Sequence, residues 1–238
     1  MILSPFYRLV AILSVASAIT TSLLIFLPEP VATDFAARVA LHKDPLYLFK
    51  KWVLLFHPIF SFLAMTGITA YCIKTKAHYV FPALFFGLIW AFTEAAQQAY
   101  TLVALNIHWR PEYLSTLDEA SKQIALTHIK SYFAIWDSMY FILILGFGFA
   151  SLLFGLALLG KDKFTKTLGV VSILIGLFSL LNFTSDYLKV TSLLPAVNIW
   201  YEWFYSYIQP AWRLALGYWL WQVAKRHKET ERQAKVNG

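Results

Sequence analysis

Cysteine is nearly absent. Cys72 stands alone, which excludes a disulfide framework and a cysteine-rich zinc module. Charge is scarce too: Asp, Glu, Lys and Arg make up 14% of the 238 residues, against about a quarter in soluble domains. No Walker loop, dinucleotide glycine fingerprint, Gly-x-Ser-x-Gly elbow or His-Glu-x-x-His sequence occurs. The enzyme classes that depend on those motifs therefore lack their signatures. A bis-histidine haem needs two buried axial ligands. Only His57 lies well inside an apolar run, with His78, His108 and His128 at run ends.

What is present is apolar. Hydrophobic residues reach 59% and the mean hydropathy is +0.59. The excess is concentrated in long runs, so neither a soluble globular domain nor a disordered chain fits. A membrane helix needs about 20 apolar residues to cross about 30 Å of hydrocarbon. Six stretches qualify: 9–27, 52–73, 79–105, 132–159, 168–188 and 199–224. Arg8 and Ala16-Ser17-Ala18 resemble a leader and its cleavage site. The apolar run continues nine residues past Ala18, so the first stretch counts as a span. The expected fold is all-α: one polytopic membrane domain over 1–238, ending in a basic tail at 225–238.

Lysine and arginine set the expected orientation. One side carries Arg8, Lys74, Lys76, Lys161, Lys163, Lys166, Lys225, Arg226, Lys228, Arg232 and Lys235. Only Asp162, Glu229 and Glu231 oppose them. The other side carries Arg38, Lys43, Lys50, Lys51, Arg110, Lys122, Lys130 and Lys189, diluted by six acids. Both termini are therefore expected in the cytoplasm, with the chain multi-pass in the cell inner membrane. The net charge of +7 follows from this bias and from attraction to anionic lipid, with no need of nucleic acid. In the outer loops, 31–42 and 111–128 have helical apolar spacing and predict short amphipathic helices over the outer mouth.

Small residues predict where helices touch. Ser151/Gly155 and Ser172/Gly176 are small-xxx-small pairs on either side of a short turn, and Ser14, Ala18 and Ser22 share a face in the first span. The stretch FGFASLLFGLALLGKDKFTKTLGVVSILIGLFSLLNF, with its Gly-Ser-Gly face and short basic turn, resembles the second half of an uncharacterised six-span bacterial membrane family. That resemblance implies the span layout and brings no activity, cofactor or site residue.

Polar residues inside spans are costly and are functional candidates by default. Glu94, Gln97, Gln98 and Thr101 share one helix face, as do Glu202, Ser206, Gln209 and Arg213. Span two adds His57, span four Asp137, span five Asn182 and Asp186. Counting about 1.5 Å per residue from the outer ends puts Asp186 and Glu202 about 3–5 Å deep, and His57, Asp137 and Asn182 about 8–9 Å deep. Gln97 and Gln98 lie about 11–12 Å deep, Glu94 and Gln209 about 15–17 Å, and Arg213 about 21 Å. This pattern predicts a pocket open outward and closed inward. Arg213 is expected to pair with Glu94 or to bridge Glu94 and Gln209. Tyr205 and Trp212 lie too deep for an interfacial aromatic belt and are expected to line the pocket.

The expected ligand-binding set is Glu94, Gln97, Gln98, Asp137, Asn182, Glu202, Gln209, Arg213, Tyr205 and Trp212. The first functional expectation is a small-molecule- or lipid-binding protein, or an accessory subunit docking a membrane partner. The second is an intramembrane metal enzyme acting on lipid, with His57, Asp137, Asp186 and Glu202 as ligands of iron or manganese. A metal ion enters only there, and no other cofactor is predicted. A proton- or cation-coupled transporter is third, since inverted repeats and broken helix pairs are not evident.

Overall fold

The computed structural model describes residues 3–160 and 162–236. Lys161, and the side chains of Glu231 and Lys235, which count in the charge asymmetry, lie outside the described residues. All regular structure among the described residues is helical. The chain forms α1 (Leu3–Phe26), α2 (Phe35–Ala40), α3 (Pro45–Tyr100), α4 (Arg110–Ser115), α5 (Glu119–Leu158), α6 (Lys163–Tyr187), α7 (Leu194–Ile199) and α8 (Ser206–Val236). Two segments widen into π-helix, Thr101–Trp109 and Trp200–Tyr205.

Aspartate starts four of these helices. The side chains of Asp34, Asp44, Asp118 and Asp162 accept from the backbone N–H three residues on, at 2.7–2.9 Å. Each satisfies an N–H that has no partner inside its helix. Pro45 at the first position of α3 adds a preset φ.

Among the described residues, four helical stretches are long and apolar enough to cross a membrane: Leu3–Phe26, Pro45–Ser115, Glu119–Leu158 and Lys163–Tyr187. The second runs 71 residues. As one straight rod it would measure about 105 Å, more than three times the hydrocarbon thickness. It bends back instead at Lys76, whose φ −137° and ψ 38° are not helical. The Lys76 ammonium donates to the carbonyls of Leu156 (3.4 Å) and Leu159 (2.7 Å). A cation thus meets the negative C-terminal end of α5.

Helix contacts close a ring: α1 packs on α3, α3 on α5, α5 on α6, α6 on α8, and α8 back on α1. The α5–α6 contact is the tightest. A Cβ on Gly155 would lie 2.7 Å from the Gly169 carbonyl, and one on Gly176 would lie 2.6 Å from the Leu152 nitrogen. The Ser172 hydroxyl donates to the Ser151 carbonyl at 2.8 Å. The small-residue pairs expected at this turn therefore do meet, backbone against backbone.

The two long loops expected to carry amphipathic helices depart from expectation in two respects. A helix does form at Phe35–Ala40. The 111–128 stretch is not one short helix of its own: residues up to Ser115 close α4, and from Glu119 the chain is already α5. Asp118 caps α5, so the helix that crosses the core starts well before its apolar part. Val39, Leu105, Ile129 and Tyr132 make a small second core there. Arg110, expected in a polar outer loop, is buried beside it and donates to Asn106 at 2.6 Å. The tail from Lys225 continues α8 rather than forming a separate segment.

Candidate functional site

Both halves of α3, with α5, the Trp200–Tyr205 π-segment and α8, enclose a cavity of about 290 Å³. Two prolines loosen its walls. Pro58 lacks the N–H that would serve the Leu54 carbonyl, and Leu54 lines the cavity. Pro210 likewise cannot serve Ser206, at the end of the π-segment that presents Tyr201 and Tyr205. Trp90, Trp136, Tyr140, Leu143 and Phe147 complete the aromatic and apolar wall.

The polar lining comes from two helices, α3 and α8. Glu94, Gln97 and Gln98 project from the second half of α3, His57 from the first half, and Arg213 from α8. All five are buried; Arg213 keeps 3% of its surface and Glu94 9%. Gln97 donates to the Trp136 carbonyl at 2.9 Å and ties α3 to α5. The His57 ring shares a 2.9 Å hydrogen bond with the Thr20 hydroxyl, which ties α3 to α1.

Arg213 meets Gln209 as expected but does not pair with Glu94. Its Nε donates to Gln209 Oε1 at 3.1 Å and its Nη1 to Ser17 Oγ at 2.6 Å and to Ser61 Oγ. These acceptors are neutral, and among the described residues no ion pair joins Arg213 to Glu94. Ser17 and Ser61 also bond each other at 2.6 Å, and Ser14 donates to the Arg213 carbonyl at 2.7 Å. One guanidinium therefore knits α1, α3 and α8. Glu94 shares the cavity without a direct cationic partner.

The structure gathers Glu94, Gln97, Gln98, Tyr205 and Arg213 from the expected ligand-binding set, with Gln209 as a support behind Arg213. It does not bring the rest. Asp137, Asp186 and Glu202 are exposed, not buried. Asp137 accepts the Tyr187 hydroxyl at 3.0 Å and, with Asp186 and Lys189, lines a separate cleft of about 520 Å³. Asn182 is half-buried and lines neither space. Trp212 turns away, its indole N–H donating to the Leu168 carbonyl at 3.0 Å. Sequence position marks these residues as polar groups within long helices, but it does not set the rotation of each helix about its axis, and packing turned them away from the cavity.

The same geometry disposes of the expected metal set. His57 lies in the cavity, Asp137 and Asp186 in the separate cleft, and Glu202 on an exposed face. Among the described residues no three His, Cys, Asp or Glu side chains could hold a metal ion together. No known protein family, curated protein or solved structure matches the chain.

Sequence pattern does not single out several residues that line the cavity or support Arg213 behind it. Ser17 was legible: Ser14, Ser17 and Thr21 form a buried polar face, one residue out of phase with Ser14, Ala18 and Ser22. Tyr201 stands four residues from Tyr205, and Trp90 four from Glu94, so each shares its partner's face. Tyr140 and Trp136 carry no signal beyond being aromatic. They stack with ring centroids 5.3 Å apart and line both the cavity and the separate cleft, forming the partition between them.

Proposed function

We propose that this chain is an integral membrane protein of six spans, both termini cytoplasmic, that binds a small molecule or lipid in an outward-facing cavity. The observation that carries this reading is the pairing of a buried guanidinium and a buried carboxylate in one aromatic-walled space without an ion pair between them. Ordinary helix glue would neutralise such charges directly. Convergent polar groups in an otherwise apolar concavity are the usual makings of a ligand site.

The bend at Lys76, which divides α3 in two, supports the six-span reading, in which α8 is the last crossing. Arg8 over the Trp221 ring and Ser4 bonded to the Ala224 carbonyl put the start of α1 beside the basic end of α8. The positive-inside rule makes that end cytoplasmic. The cleft of Asp137 and Asp186 then lies at the outer end, and the stacked Trp136 and Tyr140 separate it from the cavity.

Native mass spectrometry of the detergent-purified chain tests the binding reading. A co-purifying small molecule or lipid is expected, largely lost in Leu143→Trp, which fills the cavity. An unchanged spectrum in that variant would overturn the reading. For topology, single cysteines at Ser115 and Arg232 in a Cys72→Ser background should react with an impermeant maleimide from opposite faces. Reaction from the same face would reject the six-span arrangement.

A further inference from the structure

The cavity holds a guanidinium and a carboxyl group, and among the described residues neither has an oppositely charged partner at contact distance. Arg213 spends Nε and Nη1 on neutral oxygens, and its Nη2 has no hydrogen-bond partner among the described residues. Glu94 belongs to none of the ion pairs among them. Leaving each charge alone in a low-dielectric site is costly. A ligand carrying only a cation would compensate Glu94 and leave Arg213, and an anion would do the reverse. A ligand with both charges answers both.

The walls favour the same conclusion. Tyr201 and Tyr205 line the cavity with ring centroids 4.8 Å apart, and the Tyr201 hydroxyl is buried without a partner. Aromatic faces beside a carboxylate attract ammonium groups, whereas a guanidinium fork suits a carboxylate or phosphate. At about 290 Å³ the space stands at the small end of ordinary ligand sites, which favours a compact molecule or a head group.

We propose that the cavity binds a small zwitterion, its anionic group on Arg213 and its ammonium between Glu94 and the Tyr201 and Tyr205 rings. This rests on the reading of the cavity as a binding site and names its ligand chemistry. Two sources supply that chemistry: a free solute of the betaine kind, and the head group of a zwitterionic lipid.

The full chain is reconstituted in nanodiscs of phosphatidylglycerol, which contain no zwitterion, and titrated calorimetrically with glycine betaine, choline and acetate. In a second arm phosphatidylethanolamine is mixed into the nanodiscs, and its retention by the protein after detergent extraction is measured by mass spectrometry. The expected result is saturable binding of betaine, or stoichiometric retention of phosphatidylethanolamine. Glu94→Gln and Arg213→Gln should each weaken the interaction at least about 10-fold. Because Arg213 also joins three helices, Glu94→Gln with an unchanged helix spectrum is the deciding variant. Betaine binding assigns a free solute, and lipid retention assigns the head group. Choline or acetate binding as tightly as betaine would overturn the zwitterion while leaving a binding cavity. Absence of both betaine binding and lipid retention, or full binding by Glu94→Gln, would overturn the inference. Loss of the cavity reading itself is read separately, from Leu143→Trp.

Discussion

Arg213 is held by oxygens that carry no charge, so its position depends on the number of acceptors it keeps. Ser61 accepts from Nη1, bonds Ser17, and donates to the His57 carbonyl at 2.8 Å. Ser61→Ala is therefore expected to cost about 1–3 kcal/mol, the usual penalty for depriving a buried polar group of a partner. Removing Ser17 as well strips Nη1 of its remaining acceptor, so the double variant should lose more than the sum of the two singles. Melting temperatures of the four proteins in one detergent measure this coupling, and simple additivity would contradict the shared role.

Between elements, the α5–α6 seam leaves no room. A Cβ on Gly176 would meet the Leu152 nitrogen and the Gly148 carbonyl, and backbone cannot swing aside. Gly176→Ala should destabilise by about 1–3 kcal/mol or more. At Gly160, in the turn of the same hairpin, a Cβ would find its nearest neighbour at 3.6 Å. Gly160→Ala should stay within about 0.5 kcal/mol of the parent. The turn also carries an acid-sensitive cap. Thr165 donates its hydroxyl and its backbone N–H to Asp162, and these bonds hold that carboxyl below the usual aspartate range. A folded-state value below the unfolded one stabilises above about pH 3.9 and is lost as pH falls through the lower folded value. Asp162→Asn keeps an acceptor that does not titrate. It should flatten part of the loss in melting temperature between pH 5 and pH 3, about the range in which aspartate carboxylates titrate. An identical acid limb in the variant would deny the cap that role.

For the molecule as a whole, the ring of helices holds the cavity, and the Trp136–Tyr140 stack stands between it and the cleft of Asp137 and Asp186. Trp136→Ala removes one leaf of that partition without touching Arg213 or Glu94. It should speed association and dissociation of a bound zwitterion together, with a smaller change in Kd, measurable by stopped-flow tryptophan fluorescence. A slower association rate would place the entry elsewhere. The Gln97 bond to the Trp136 carbonyl stays available, because it uses backbone.

Membrane class, the helical stretches and the α5–α6 seam were legible in the sequence because each is local. A run of apolar residues, a basic turn and a repeated small residue keep their meaning whatever packs against them. The candidate site was legible only in part. Glu94, Gln97, Gln98 and Arg213 were legible as candidates because polar residues stand out within apolar runs, and all four line the cavity. Which way a side chain points depends on rotation about the helix axis, and one residue of phase is about 100°. Packing alone sets that angle. It turned Asp137, Asp186 and Glu202 to exposed positions, turned Trp212 toward α6, brought Ser17 to Arg213, and divided 111–128 between α4 and α5 where one short amphipathic helix was expected. Tertiary structure likewise decided that Arg213 and Glu94 face one cavity unpaired, since only the closing of the ring brings α3 and α8 to the same space.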